Sequence, residues 1–245
     1  MPEIDTLFVV MAAAAFGAGL MRGFAGFGSA MVMSPLLSLY YGPVAAVMAI
    51  AIMEVVVSVQ LVPKVLKHVE WPLLLPATLA AFVGMPLGVW ALVAIDGQAI
   101  ALFISGLVLL FVLVLASGWR YSGNRPLPAT LGIGTLCGAL ITSTSVGGPP
   151  LLIYMMAGQS AAQQVRANII VFFAILEVIT PFALWIGGRF DAAHLVMGAL
   201  FCPTYLVGAW IGTRLFRQSS EALYRRVALI LLSLIAVYGL AAPLL

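Results

Sequence analysis

Hydrophobic residues run in long stretches, separated by short clusters of charge and turn residues. The stretches fall at 6–41, 43–63, 71–95, 97–118, 126–157, 160–187, 193–213 and 227–244. They are too long for strands and show no period-two alternation. A bilayer is spanned by about 20 apolar residues. The pattern therefore predicts an all-α polytopic membrane protein of eight hydrophobic segments, with no room for an extramembrane domain. Ser117 to Arg125 (SGWRYSGNR) reads as a loop from its Gly, Ser and Arg content.

Two stretches cannot be single helices. From Pro126 to Val165 the chain carries no charge for 40 residues. As one helix this would be about 60 Å long, twice the hydrocarbon thickness. It contains TSTSVGGPP, Thr142 to Pro150, where paired glycines and prolines must interrupt a helix. The first stretch has Gly23, Gly26 and Gly28 within RGFAGFGS, followed by Pro35.

The two halves repeat one another. Gly28 matches Gly147 at an offset of 119, Glu54 matches Glu177 at 123, and Val83, Gly84 and Gly88 match Val207, Gly208 and Gly212 at 124. The last pairs form G-x-x-x-G, a close-packing face for membrane helices. The reading is two repeats of four hydrophobic segments, 1–118 and 126–245, joined by a connecting loop at 119–125. Duplicated halves around broken helices recur in secondary transporters.

Composition agrees. Only 19 residues are Asp, Glu, Lys or Arg, against about 60 in a soluble domain of this length. The apolar share is 64% and the mean hydropathy is +1.18. A soluble enzyme and a nucleic-acid binder are excluded, and the net charge of +3 is scattered over short loops. Cys137 and Cys202 sit in apolar runs and offer neither a disulfide framework nor metal spacing. No cofactor motif and no hydrolase motif is present. His68 and His194 read as solvated loop residues. The acidic MPEID start is unlike a secretory signal, so the first apolar stretch is expected to be retained.

Basic residues favour the cytoplasmic side. Lys64 and Lys67, Arg120 and Arg125, and Arg214, Arg217, Arg225 and Arg226 mark three loops. All three share a side only if segment five enters and returns as a re-entrant hairpin. By the duplication segment one does the same. The halves are then inverted repeats, and both termini, with Glu3 and Asp5, lie outside.

The breaks expose chemistry. Irregular backbone survives at membrane depth only where protein buries it or water reaches it. A helix restarting after a break presents amide N–H groups and a dipole that attract anions. The first break offers Gly28, Ser29 and Ala30. The second offers Gly147 and Gly148, with hydroxyls on Thr142, Ser143, Thr144 and Ser145. Arg22 and Arg166 have the planar fork that matches oxyanions, or serve as snorkelling or ion-paired residues. Glu54 and Glu177, the carboxylates well inside spans, read as a proton-coupling pair or as static partners of those arginines. Asn168 bonds either to ligand or to a neighbouring helix.

At RGFAGFGSAMVMSPLL, Arg22 to Leu37, and STSVGGPPLLIYMM, Ser143 to Met156, the chain resembles the TauE/SafE family of bacterial membrane proteins. The second motif matches the family's glycine pair and proline at Gly147, Gly148 and Pro149, and its following arginine at Arg166. The first departs from three consecutive glycines, reading Gly26, Phe27, Gly28, Ser29. The resemblance implies a multi-pass transporter of the bacterial inner (plasma) membrane for sulfite, a sulfonate or another small anion. Its partners are that substrate and the lipid bilayer. The resulting expectation is a secondary transporter working by alternating access of two repeats, with proton coupling as one option. A passive anion channel, an uptake permease for a different small anion, a membrane scaffold and a cation transporter are the other readings.

Overall fold

A computed structural model describes residues 6–118, 123–156 and 160–216, together with Val237 and Ala241. The apolar run 227–244, both termini, and Arg120, Arg217, Arg225 and Arg226 lie outside this description, apart from those two positions, and with them the expectations that rest there. The described chain is helical, with no strand among the described residues. The helices are α1 (Thr6–Ala25), α2 (Ser29–Tyr41), α3 (Pro43–Val65), α4 (Trp71–Ala94), α5 (Gly97–Ala116), α6 (Leu127–Thr144), α7 (Gly148–Met155), α8 (Ala162–Ile186) and α9 (Ala192–Phe216). A short 3-10 turn at Leu66–His68 extends α3, so His68 lies in this turn rather than in an open loop. His194 falls in the first turn of α9 rather than in a loop.

Seven of the described helices are long and apolar enough to cross a membrane: α1, α3 with its 3-10 extension, α4, α5, α6, α8 and α9. α2 and α7 are not. Their 13 and 8 residues make about 20 and 12 Å of helix, short of the roughly 30 Å hydrocarbon core. They are the second arms of the two abnormal stretches, which break where the glycines fall, at Gly26–Gly28 and Ser145–Gly147.

The breaks share a local geometry. Gly26 and Ser145, 119 residues apart, both adopt positive φ, at 81° and 60°. Each donates its amide to the carbonyl four residues back, Arg22 and Ile141, at 2.9 Å. Ser145 tolerates a left-handed conformation that side chains other than Gly, Asn and Asp rarely adopt.

Packing between the halves follows the glycines. α4 lies parallel to α6, and α9 lies parallel to α1. A methyl group added to Gly84 would sit 1.9 Å from the Thr135 carbonyl oxygen, and one on Gly208 would sit 2.2 Å from that of Phe16. Only glycine permits such approach. Gly84 and Gly208 also meet Ala139 and Leu20. Thr135 and Ala139 stand 119 residues after Phe16 and Leu20, the same offset as the breaks. Each half therefore lends its G-x-x-x-G helix to the broken segment of the other. α3 and α8, carrying Glu54 and Glu177, pack against each other between these two pairs.

Candidate anion-binding site

The two breaks meet. Phe27 of the first lies against Gly148 of the second, 3.2 Å from where a Cβ on that glycine would sit. The Ser34 hydroxyl on α2 donates to the Thr144 carbonyl at the end of α6, at 2.6 Å. Between them is a small cavity with room for about one water molecule. Its walls are the starts of α2 and α7, with Arg22 from α1, Glu54 from α3, and Phe173 and Glu177 from α8. No side chain caps the N-terminus of either short helix. The first turn of α7 also carries Pro149 and Pro150, which have no N–H to offer.

Arg22 is 1% exposed and is tied on several sides. Its Nε lies 2.7 Å from Glu54 Oε2. Its Nη1 donates to the Gly26 carbonyl, and the guanidinium lies 5.2 Å from the Phe173 ring centroid. Its Nη2 has no hydrogen-bond acceptor. Glu54 Oε1 accepts hydrogen bonds from the Ser29 and Tyr205 hydroxyls. Of the two alternatives open for Glu54, the structure contains the ion pair with Arg22. Glu177 differs: it is 1% exposed and neither carboxylate oxygen has a partner. Ser145, fully buried at the same cavity, also has a hydroxyl without a partner.

Of the residues expected to bind an anion, Arg22, Gly28, Ser29, Ser145 and Gly148 line this cavity, with Glu54 and Glu177 beside them. The others do not line it. Thr142, Ser143 and Thr144 lie in the last turn of α6, where their hydroxyls bond back to the carbonyls of Gly138, Ala139 and Leu140. A helix that continues through these positions offers each hydroxyl a nearby carbonyl, and that local bond wins. Thr142 bonds also to the Met85 carbonyl on α4 at 2.9 Å. Gly147 caps α7 but faces Ile141 and Cys137.

Arg166 reaches the end of α1, donating to the carbonyls of Gly23 at 2.6 Å and Phe24 at 3.0 Å. These are last-turn carbonyls that a helix end leaves without internal partners, and a cation suits them. Arg166 thus caps the helix that delivers Arg22. Asn168 lies away from the cavity, where it clamps Glu70. Its Oδ1 accepts the Glu70 amide at 2.8 Å and its Nδ2 donates to the carboxylate at 3.2 Å. Glu70 also accepts from Ser160, which in turn accepts from Arg125 at 3.1 Å.

Tyr205 and Phe173 also reach the site, although no sequence motif singled them out. Tyr205 stands three residues before Gly208, one turn back on the face that packs against α1. A hydroxyl on a glycine-rich packing face was the available signal. Among the described residues no cluster of three His, Cys, Asp or Glu could hold a metal.

The family described as sulfite exporter TauE/SafE matches residues 11–239. A protein of Cupriavidus necator named "Probable sulfite/organosulfonate exporter TauE" is 27% identical over 214 residues, covering 83% of this chain and 82% of its own length. No solved structure matches the chain.

Proposed function

We propose, for a chain that belongs to the sulfite exporter TauE/SafE family, that it is a secondary transporter moving a small sulfur-containing oxyanion, sulfite or a sulfonate, across the bacterial plasma membrane. The observation that carries this reading is what meets at one cavity. Two uncapped helix N-termini converge there with two buried donors that lack acceptors, Arg22 Nη2 and the Ser145 hydroxyl. Buried donors without partners are costly. An oxyanion satisfies them, and its charge is met by the helix ends. Arg22, Gly28, Ser29, Ser145 and Gly148 are then the anion's contacts. Arg166, Ser143, Thr144 and Gly147 hold the breaks in shape, and Asn168 holds Glu70.

Proton coupling falls to the carboxylates at the same cavity, and transport is alternating access by movement of one repeat against the other. The inverted, re-entrant arrangement is supported by the chain Arg125–Ser160–Glu70. It ties the start of segment five to its end and to the loop after α3, so that segment leaves and re-enters on one side. Tyr154 near the end of α7 supports the same reading, since its hydroxyl lies 2.6 Å from that of Thr130 near the start of α6.

The test is reconstitution into proteoliposomes loaded with sulfite, followed by uptake of labelled sulfite. Saturable counterflow is the expected result, falling at least about tenfold in Arg22→Gln, the loss of one charge-assisted bond. Flux without counterflow identifies a channel instead, and no flux of sulfite or any sulfonate rejects the reading.

A further inference from the structure

The duplication is broken at its carboxylates. Glu54 has three polar partners: Arg22, Ser29 and Tyr205. The offset of 119 carries Arg22 and Ser29 to Ile141 and Gly148, and the offset of 124 carries Tyr205 back to Ala81. None of those three side chains can make a hydrogen bond. Glu177, the counterpart of Glu54, has accordingly lost every equivalent partner. It remains buried at the cavity with both oxygens bare.

Few other charges reach it. Glu54 on α3 and Arg22 on α1 share its cavity, and they are paired with each other. α4 contributes no ionisable side chain. Cys137 on α6, Tyr154 on α7, Tyr205 on α9 and Arg166 on α8 itself lie outside the cavity lining, as do Lys64, Lys67 and His68 at the end of α3.

We propose that the two glutamates hold different offices: Glu177 alone carries the coupling proton, while Glu54 is a fixed counter-ion that positions Arg22. This rests on the transport reading above. An arriving anion meets repulsion from an ionised carboxylate that no donor screens, and one proton removes it. The neutral Glu177 carboxyl donates its O–H to an oxygen of the anion, and after the anion departs the proton leaves to water. Glu54 is unsuited to that exchange. One oxygen faces the guanidinium and the other accepts two hydroxyls, so a proton there disrupts three interactions together. Tyr205 is a positioning residue that acts through Glu54.

Purified protein in lipid nanodiscs supplies two readouts. Infrared spectra without any anion, recorded as the pH is lowered, are expected to gain the carbonyl stretch of a protonated carboxyl group. That band is lost in Glu177→Gln and kept in Glu54→Gln and Tyr205→Phe. Calorimetry with sulfite, at a pH above that at which the band appears and in buffers of different ionisation enthalpy, is expected to count about one proton taken up per sulfite bound. The count is retained in Tyr205→Phe and lost in Glu177→Gln. Glu177→Asp, which keeps the acid, restores both signals and separates loss of the proton from loss of the fold. A band that survives Glu177→Gln overturns the proposal. So does proton uptake that vanishes in Tyr205→Phe while sulfite still binds. If wild-type protein binds neither sulfite nor taurine yet the band still follows Glu177, the transport reading fails and the assignment of the proton stands.

Discussion

Removing one member of the Arg22–Glu54 pair should harm the protein more than removing both. At 2.7 Å and an effective dielectric of 20, the pair's attraction is about 6 kcal/mol. Desolvating two ions offsets much of it. In Glu54→Leu the guanidinium stays at 1% exposure with no counter-ion. Breaking a buried pair this way costs about 3–5 kcal/mol, and two hydroxyls, Ser29 and Tyr205, lose their acceptor at about 1 kcal/mol each. In Arg22→Met/Glu54→Leu no charge is stranded, and an apolar pair of similar volume is about neutral. Only the hydroxyl penalty remains, roughly 2 kcal/mol. The assay is reversible unfolding in mixed micelles with increasing SDS. The single variant should lose about four to five orders of magnitude in the folding equilibrium, and the double variant should recover most of that. Both should lose sulfite counterflow. Additive destabilisation in the double variant would falsify the ion-pair account, because it would mean the two side chains act independently.

Ser145 gives two effects of opposite sign. Ser145→Gly relieves a φ of 60° and should raise the unfolding free energy by about 1 kcal/mol. It also removes a cavity donor, and should weaken sulfite binding by about tenfold or more; unchanged binding in a titration would remove Ser145 from the site. Gly208→Leu and Gly84→Leu should each abolish monodisperse protein in size-exclusion chromatography, since a Cβ there falls about 2 Å from a backbone oxygen. Gly132→Leu, with nothing within 4 Å, is the tolerated control, and equal behaviour of all three would refute the interlock. Arg166→Lys should fail to restore what Arg166→Met loses in thermal stability, because a single ammonium does not reproduce a fork spanning two carbonyls. Arg125→Gln should shift stability by less than about 1 kcal/mol, since the pair with Glu70 is partly exposed and 3.7 Å apart.

Much of this protein is written locally. Long apolar runs set the helices, because a lipid environment demands that every backbone polar group be paired within its own segment. Glycines set both breaks, joined at the second by Pro149 and Pro150. Arg22, Glu54 and Glu177 stood out because charge inside a span is rare. Other features depend on which residues far apart in sequence become neighbours, and no local signal carries that. Thr142, Ser143 and Thr144 looked like anion ligands until α6 ran through them and supplied carbonyls. For Arg166 the sequence left an anion fork and a structural role both open, and only the folded chain brings the end of α1 within its reach. The matched glutamates looked equivalent. Only the packing of α1, α2 and α9 around one of them, and of their apolar counterparts around the other, gave Glu54 three partners and left Glu177 with none.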